Sequence, residues 1–115
     1  MSKRSRLRRL TVGEVTWLWS VRHTCRECRE ALTLRAEGSD AMLRLVFYGG
    51  PGRAVAGYPL HTGAVCAAGV TLNLHEPGVV RRFVDEAVAR EVLPVPRGVR
   101  EIDGWPLFDT LTAGD

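Results

Sequence analysis

Hydrophobic and polar positions alternate along the first half of the chain. Val15, Trp17, Trp19 and Val21 are interleaved with Thr16, Leu18, Ser20 and Arg22. β-Branched and aromatic side chains at every second position mark a strand with one buried face. Residues 7–12 follow the same two-fold pattern. Gly13 between the two segments can take φ > 0, so residues 7–22 predict a hairpin. After a polar connection at 23–28, Leu32 and Leu34 alternate with Ala31, Thr33 and Arg35, which predicts a strand near 29–36. The turn cluster Glu37-Gly38-Ser39-Asp40 follows, and Leu43, Leu45 and Phe47 then alternate with Met42, Arg44, Val46 and Tyr48 as the returning strand.

Residues 49–63 hold five glycines and two prolines and predict a surface loop. Strand character resumes at Ala64-Val65-Cys66, turns around Ala68-Gly69, and continues through Val70, Leu72 and Leu74. The period then changes. Glu76-Pro77-Gly78 opens a helix with proline in its first turn. Val79, Val80, Phe83, Val84, Ala87 and Val88 form its apolar stripe. Arg81/Asp85, Arg82/Glu86 and Glu86/Arg90 form i,i+4 pairs on the other face, and Pro94 and Pro96 end it. In the tail, Val99 to Phe108 predicts a short strand and a turn that bring Trp105 and Phe108 onto the body. Strands followed by a helix, without alternation, predict an α+β fold. The expected architecture is a mostly antiparallel sheet of about five to six strands with one main helix on a face. Residues 1–6 are expected to be a flexible basic arm and residues 7–115 a single domain.

Length agrees with this. A chain of 115 residues buries roughly 65% of its unfolded surface, enough for one core without a disulfide or metal, so no cofactor is expected. No run approaches the ~20 apolar residues of a membrane span. The basic start is followed by Thr-Val-Gly-Glu-Val-Thr-Trp, which is no signal-peptide core. Three cysteines are an odd number and too few for a secreted disulfide scaffold. A cytoplasmic protein is expected.

Charge changes the picture once it is located. The net charge is +3 from 16 basic and 13 acidic residues. Five of the basic residues (Lys3, Arg4, Arg6, Arg8 and Arg9) lie in the first ten positions with no acid, so the other 105 carry eleven basic against thirteen acidic, a net of −2. The basic character belongs to the arm. It makes those five residues candidates for phosphate contacts in weak, sequence-independent nucleic-acid binding. No helix-turn-helix, zinc-finger or RNA-recognition signature accompanies them. Fifteen of the sixteen basic residues are arginine, which fits high-GC codon usage and lowers the weight of arginine abundance by itself.

The sharpest chemical cluster is His23-Thr-Cys25-Arg-Glu-Cys28. Two thiolates two residues apart can grip one Zn²⁺ from a turn, with His23 and Cys66 as further ligands and His61 and His75 as the other soft candidates. A second Cys-x-x-Cys is missing, so two reduced loop thiols are the preferred account. A thioredoxin-like role fits less well, because Cys28 precedes a strand pattern and not a helix. Cys66 paired with His61 or His75 as nucleophile and base rests on sequence proximity alone, and Ala64 to Ala68 reads as buried strand. Gly49-Gly50-Pro51-Gly52-Arg53 could cradle an anion, but it lacks the P-loop and dinucleotide spacings. Trp17 and Trp19 are core candidates on their strand. Where the sheet has an uncovered face, they are also candidates for a protein interface.

In Trp17 to His23, Leu43 to Phe47, Leu72 to Val80 and Glu101 to Trp105, the chain resembles small uncharacterised actinobacterial α+β proteins. That resemblance implies no activity. The expectation carried forward is a small non-enzymatic domain acting through a protein partner or a second copy. Weak nucleic-acid binding through the arm is the alternative, and a zinc or thiol protein the lesser one.

Overall fold

β1 (Arg8–Val12) and β2 (Val15–Thr24) form the expected hairpin, joined by Gly13 at φ 63°. β3 (Arg29–Ala36) and β4 (Met42–Tyr48) extend it, and β8 (Val99–Asp103) adds to β4 in the parallel sense, giving the order β1-β2-β3-β4-β8. β5 (Arg53–Val55), β6 (Ala64–Ala67) and β7 (Val70–Asn73) form a second, antiparallel sheet. α1 (Pro77–Ala89) precedes β8 and α2 (Trp105–Thr112) follows it. The computed structural model describes residues 7–24, 28–55 and 63–113. The fold is α+β.

Alternation divides the larger sheet into two chemically different faces. The inner face carries Trp17, Trp19 and Val21 of β2, Leu32 and Leu34 of β3, and Leu43, Leu45 and Phe47 of β4. Val65, Ala67 and Leu72 of the small sheet close over this face together with Val79, Val80, Phe83, Val84 and Ala87 of α1. Each large apolar side chain taken fully from water contributes about 1.5–3 kcal/mol. The inner stripe of α1 therefore outweighs the helix's own propensity as the reason it forms. Val88 is 50% exposed, so the stripe ends before the final turn is complete.

Three features depart from the sequence reading. The strands divide between two sheets, because Arg53–Val55 supplies a third strand for β6 and β7 within the predicted loop. Residues 105–112, expected to be a turn, form α2. Trp105, Leu107 and Phe108 are its buried side, Pro106 sits where a helix tolerates it, and the Asp103 carboxylate accepts the Trp105 amide at 3.0 Å. Eight residues are too few for periodicity to declare a helix. Finally, Arg82 hydrogen-bonds the Leu111 carbonyl of α2, a cross-helix contact in place of the expected i,i+4 pair.

β8 and α2 are held by an aromatic cluster. The Phe47 ring meets Phe83 and Trp105 edge-on at 5.6 and 5.3 Å, and Trp105 meets Phe108 at 5.1 Å. Trp105 Nε1 donates to the Tyr48 carbonyl at 2.9 Å. Gly104 lies against the Phe47 ring so closely that a Cβ would come within 2.4 Å of it. Phe47 is fully buried and cannot swing away. Gly104→Ala should therefore destabilise the protein by about 1–3 kcal/mol through overpacking. Denaturant unfolding of the two proteins measures this, and an unchanged midpoint would show that the ring can give way.

Candidate functional site

The outer face of the larger sheet is built from the residues that alternate with the core. Arg9 (β1), Arg22 (β2), Arg29 and Arg35 (β3) and Arg44 (β4) all point to this side. Glu101 and Asp103 of β8 are its acidic strand positions. Among the described residues no helix covers it, since both helices bury their apolar sides in the core beneath the opposite face.

The arginines are not equivalent. Arg9 pairs with Glu37, and Arg35 donates to the Ser39 carbonyl at 2.9 Å. Arg44 meets Glu101 at 3.3 Å. Arg29 donates to the Tyr48 hydroxyl at 3.2 Å and lies 5.9 Å from that ring's centre. Arg22 is exposed and has no hydrogen bond or ion pair among the described residues. Together Arg22, Arg29 and Arg44 surround a basin of about 410 Å³, with Ser20, Thr24 and Thr33 between them and Ala31 on its floor. Guanidinium groups present paired N–H donors in a rigid fork, the geometry that suits carboxylate or phosphate oxygens.

The candidate residues named from sequence are dispersed. Trp17 and Trp19 are 6% and 1% exposed and belong to the core. Lys3, Arg4, Arg6, Cys25 and His61 lie outside the described residues. Arg8 and Arg9 belong to β1 and are engaged: the Arg8 guanidinium stands 4.7 Å above the Trp19 ring and donates to the His75 carbonyl at 2.8 Å. Arg8, Trp19, Val21 and His75 line a second cavity of about 620 Å³, and the Trp19 indole N–H finds no acceptor among the described residues. Cys28 is exposed in the turn before β3, whereas Cys66 is half-buried in the other sheet. Among the described residues, no group of three His, Cys, Asp or Glu comes together as a metal site.

His23 has a partner that sequence reasoning missed. It hydrogen-bonds Glu30, directly opposite on β3, and both side chains are largely buried, at 7% and 1% exposure. A carboxyl so placed is unfavourable as an anion. Burial pushes the Glu30 pKa above its ordinary 4.5, and the bond and charge of His23 offset part of that rise. The signal for the pair was Glu30 at an inward position of a strand otherwise lined with leucine. The outer basin also had a signal: each of three consecutive strands contributes an arginine at a polar position. It becomes visible only when the register is known.

A raised folded-state pKa favours proton uptake on folding, so the stability Glu30 contributes is fully present below its unfolded pKa. It is lost as pH rises through the raised value. Unfolding free energy should therefore fall as pH increases from 4.5, and Glu30→Gln should flatten this slope. Denaturant titrations across the acidic to neutral range measure both; identical slopes would mean that Glu30 ionises freely. Comparison of the chain with family models, curated proteins and solved structures gives no match.

Proposed function

We propose that the protein is a small cytoplasmic binding domain that recognises an acidic segment of another protein through the outer face of its larger sheet. The observation that carries this reading is Arg22: an exposed guanidinium without a counter-charge among the described residues, flanked by Arg29 and Arg44 around a concave basin. An anionic partner would supply the counter-charge that Arg22 lacks among the described residues.

A protein partner is favoured over nucleic acid by what the face lacks as a stacking surface. Sequence-tolerant binding of single strands uses several exposed aromatic rings. On the strands of this face Tyr48 is the aromatic residue, and Arg29 already engages its hydroxyl. Arg8 and Arg9, expected to serve phosphates, are drawn onto the body by Trp19, His75 and Glu37.

A fluorescent peptide of eight glutamates should bind the full chain in low salt and dissociate as salt rises. Arg22→Glu should weaken it by about tenfold, or about 1.4 kcal/mol, with the circular dichroism spectrum unchanged. Fluorescence anisotropy gives both numbers. If a single-stranded oligonucleotide of equal charge binds more tightly than the peptide, and deletion of residues 1–9 abolishes that binding, the function belongs to the basic arm.

A further inference from the structure

We infer that the cleft at the β1 edge of the larger sheet binds a small carboxylic acid with an apolar body, at a site separate from the outer-face basin. Strand lengths create the cleft. β2 runs for ten residues, and the five residues of β1 pair with its first five, from Val15 to Trp19. On that edge Val21 therefore has no strand beside it among the described residues. The turn after β7 brings His75 to the gap, and the His75 ring lies so close to Gly63 that a Cβ there would come within 2.5 Å of it. Leu7, Arg8, Arg9, Trp19, Val21 and His75 line the space that is left, about 620 Å³. Small-molecule sites span about 300–1,000 Å³.

Two side chains of this lining lack an acceptor. Trp19 is 1% exposed, and its buried indole N–H has no hydrogen-bond partner among the described residues. A buried donor left unpaired weakens a fold, and an acceptor brought by a ligand removes that penalty. Arg8 stands 4.7 Å above the same ring and donates one N–H to the His75 carbonyl at 2.8 Å. A guanidinium has five N–H donors. Arg8 meets no carboxylate among the described residues, whereas its neighbour Arg9 pairs with Glu37. The indole N–H is shielded as the structure stands, so an acceptor reaches it when the Arg8 side chain, half-buried on an edge strand, shifts on the ring. A carboxylate then has one oxygen for the guanidinium and one for the indole, and a phosphate would keep a third oxygen without a donor of this kind. Leu7, Val21 and the indole make the remaining wall apolar, so hydrocarbon attached to the carboxylate is taken from water there.

The test titrates the nitrogen-15-labelled full chain with phenylacetate and follows the assigned indole N–H resonances by NMR. Phenylacetate should bind with a dissociation constant of about 1 mM or tighter. It should move the Trp19 indole proton downfield, as a newly formed hydrogen bond does, while the Trp105 indole, already bonded to the Tyr48 carbonyl, stays in place. Phenylacetamide has the same shape without the charge, and acetate lacks the apolar body. Each should bind about tenfold more weakly, and Arg8→Gln should weaken phenylacetate by a similar factor. Because Arg8 also joins β1 to the His75 turn, Leu7→Asp is the second variant. Position 7 is 57% exposed, so the circular dichroism spectrum should be unchanged, while the new carboxylate repels the ligand and lowers its affinity about tenfold or more. A Trp19 resonance that stays in place throughout would overturn the site, and unchanged affinity in Leu7→Asp would overturn its location. Equal binding of phenylacetamide would overturn the carboxylate, and equal binding of acetate the apolar body. Tighter binding of phenyl phosphate than of phenylacetate would overturn the choice of anion.

Discussion

The structure depends first on how β2 pairs with β3. Trp19 lies opposite Leu34 and Val21 opposite Leu32, while Leu18 lies opposite Arg35 and Arg22 opposite Ala31. Because strand side chains alternate with a period of two, a shift of one residue would turn the tryptophans outward and drive Arg22 into the core. The free energy that hides Trp19 thus also fixes where Arg22 stands. Core and candidate site are two faces of one constraint, and the site's geometry needs no loop to hold it.

The same constraint explains why the C-terminal part folds back. Phe47 is the last inward residue of β4, and its ring meets Phe83 of α1 edge-on with a further side left to be covered. Trp105 closes the gap, which requires the chain to return alongside β4 and turn sharply at Gly104. Arg53 reaches over the Trp105 ring at 4.8 Å and holds Asp109 through two bonds of 2.6 and 2.8 Å. That pairing keeps the Asp109 carboxyl below the usual carboxylate range. The arginine that a glycine-rich loop seemed to offer to a phosphate is committed to joining the small sheet to α2. Arg90 does similar work between the helices, with bonds to Glu86 at 2.7 Å and to Thr110 at 2.6 Å. Arginine in this chain is in several places structural.

Much of the fold was legible because it depends on local periodicity. The hairpin 7–22, the strands at 29–36 and 42–48, the turn at Ala68-Gly69 and the helix opening at Pro77 all rest on patterns within one element. What was not legible depends on partners distant in sequence. β5 is three residues long and exists because β6 offers it an edge. α2 forms because Trp105 and Phe108 have a core to enter. Sequence reasoning weighed Cys25, Cys28, Cys66 and the histidines for their reactivity and preferred an interface at Trp17 and Trp19, so neither search led to the outer face. Trp17 and Trp19 were readable as apolar but not as fully absorbed by the core, since the coverage of a sheet face depends on helices and strands far along the chain.

The outer face illustrates a general asymmetry in what alternation can reveal. An apolar residue at an inward position is explained by the core, whatever its exact register. A polar residue at an outward position is explained by water, and water would accept serine, lysine or glutamate as readily as arginine. Arg22, Arg29 and Arg44 become informative only through adjacency, when three strands bring their side chains around one alanine. A face under no constraint but solubility would favour interspersed charges of both signs, because like charges on neighbouring strands raise the energy of the folded state. Here three guanidiniums are gathered on strands whose other face is held in the core by tryptophan and leucine.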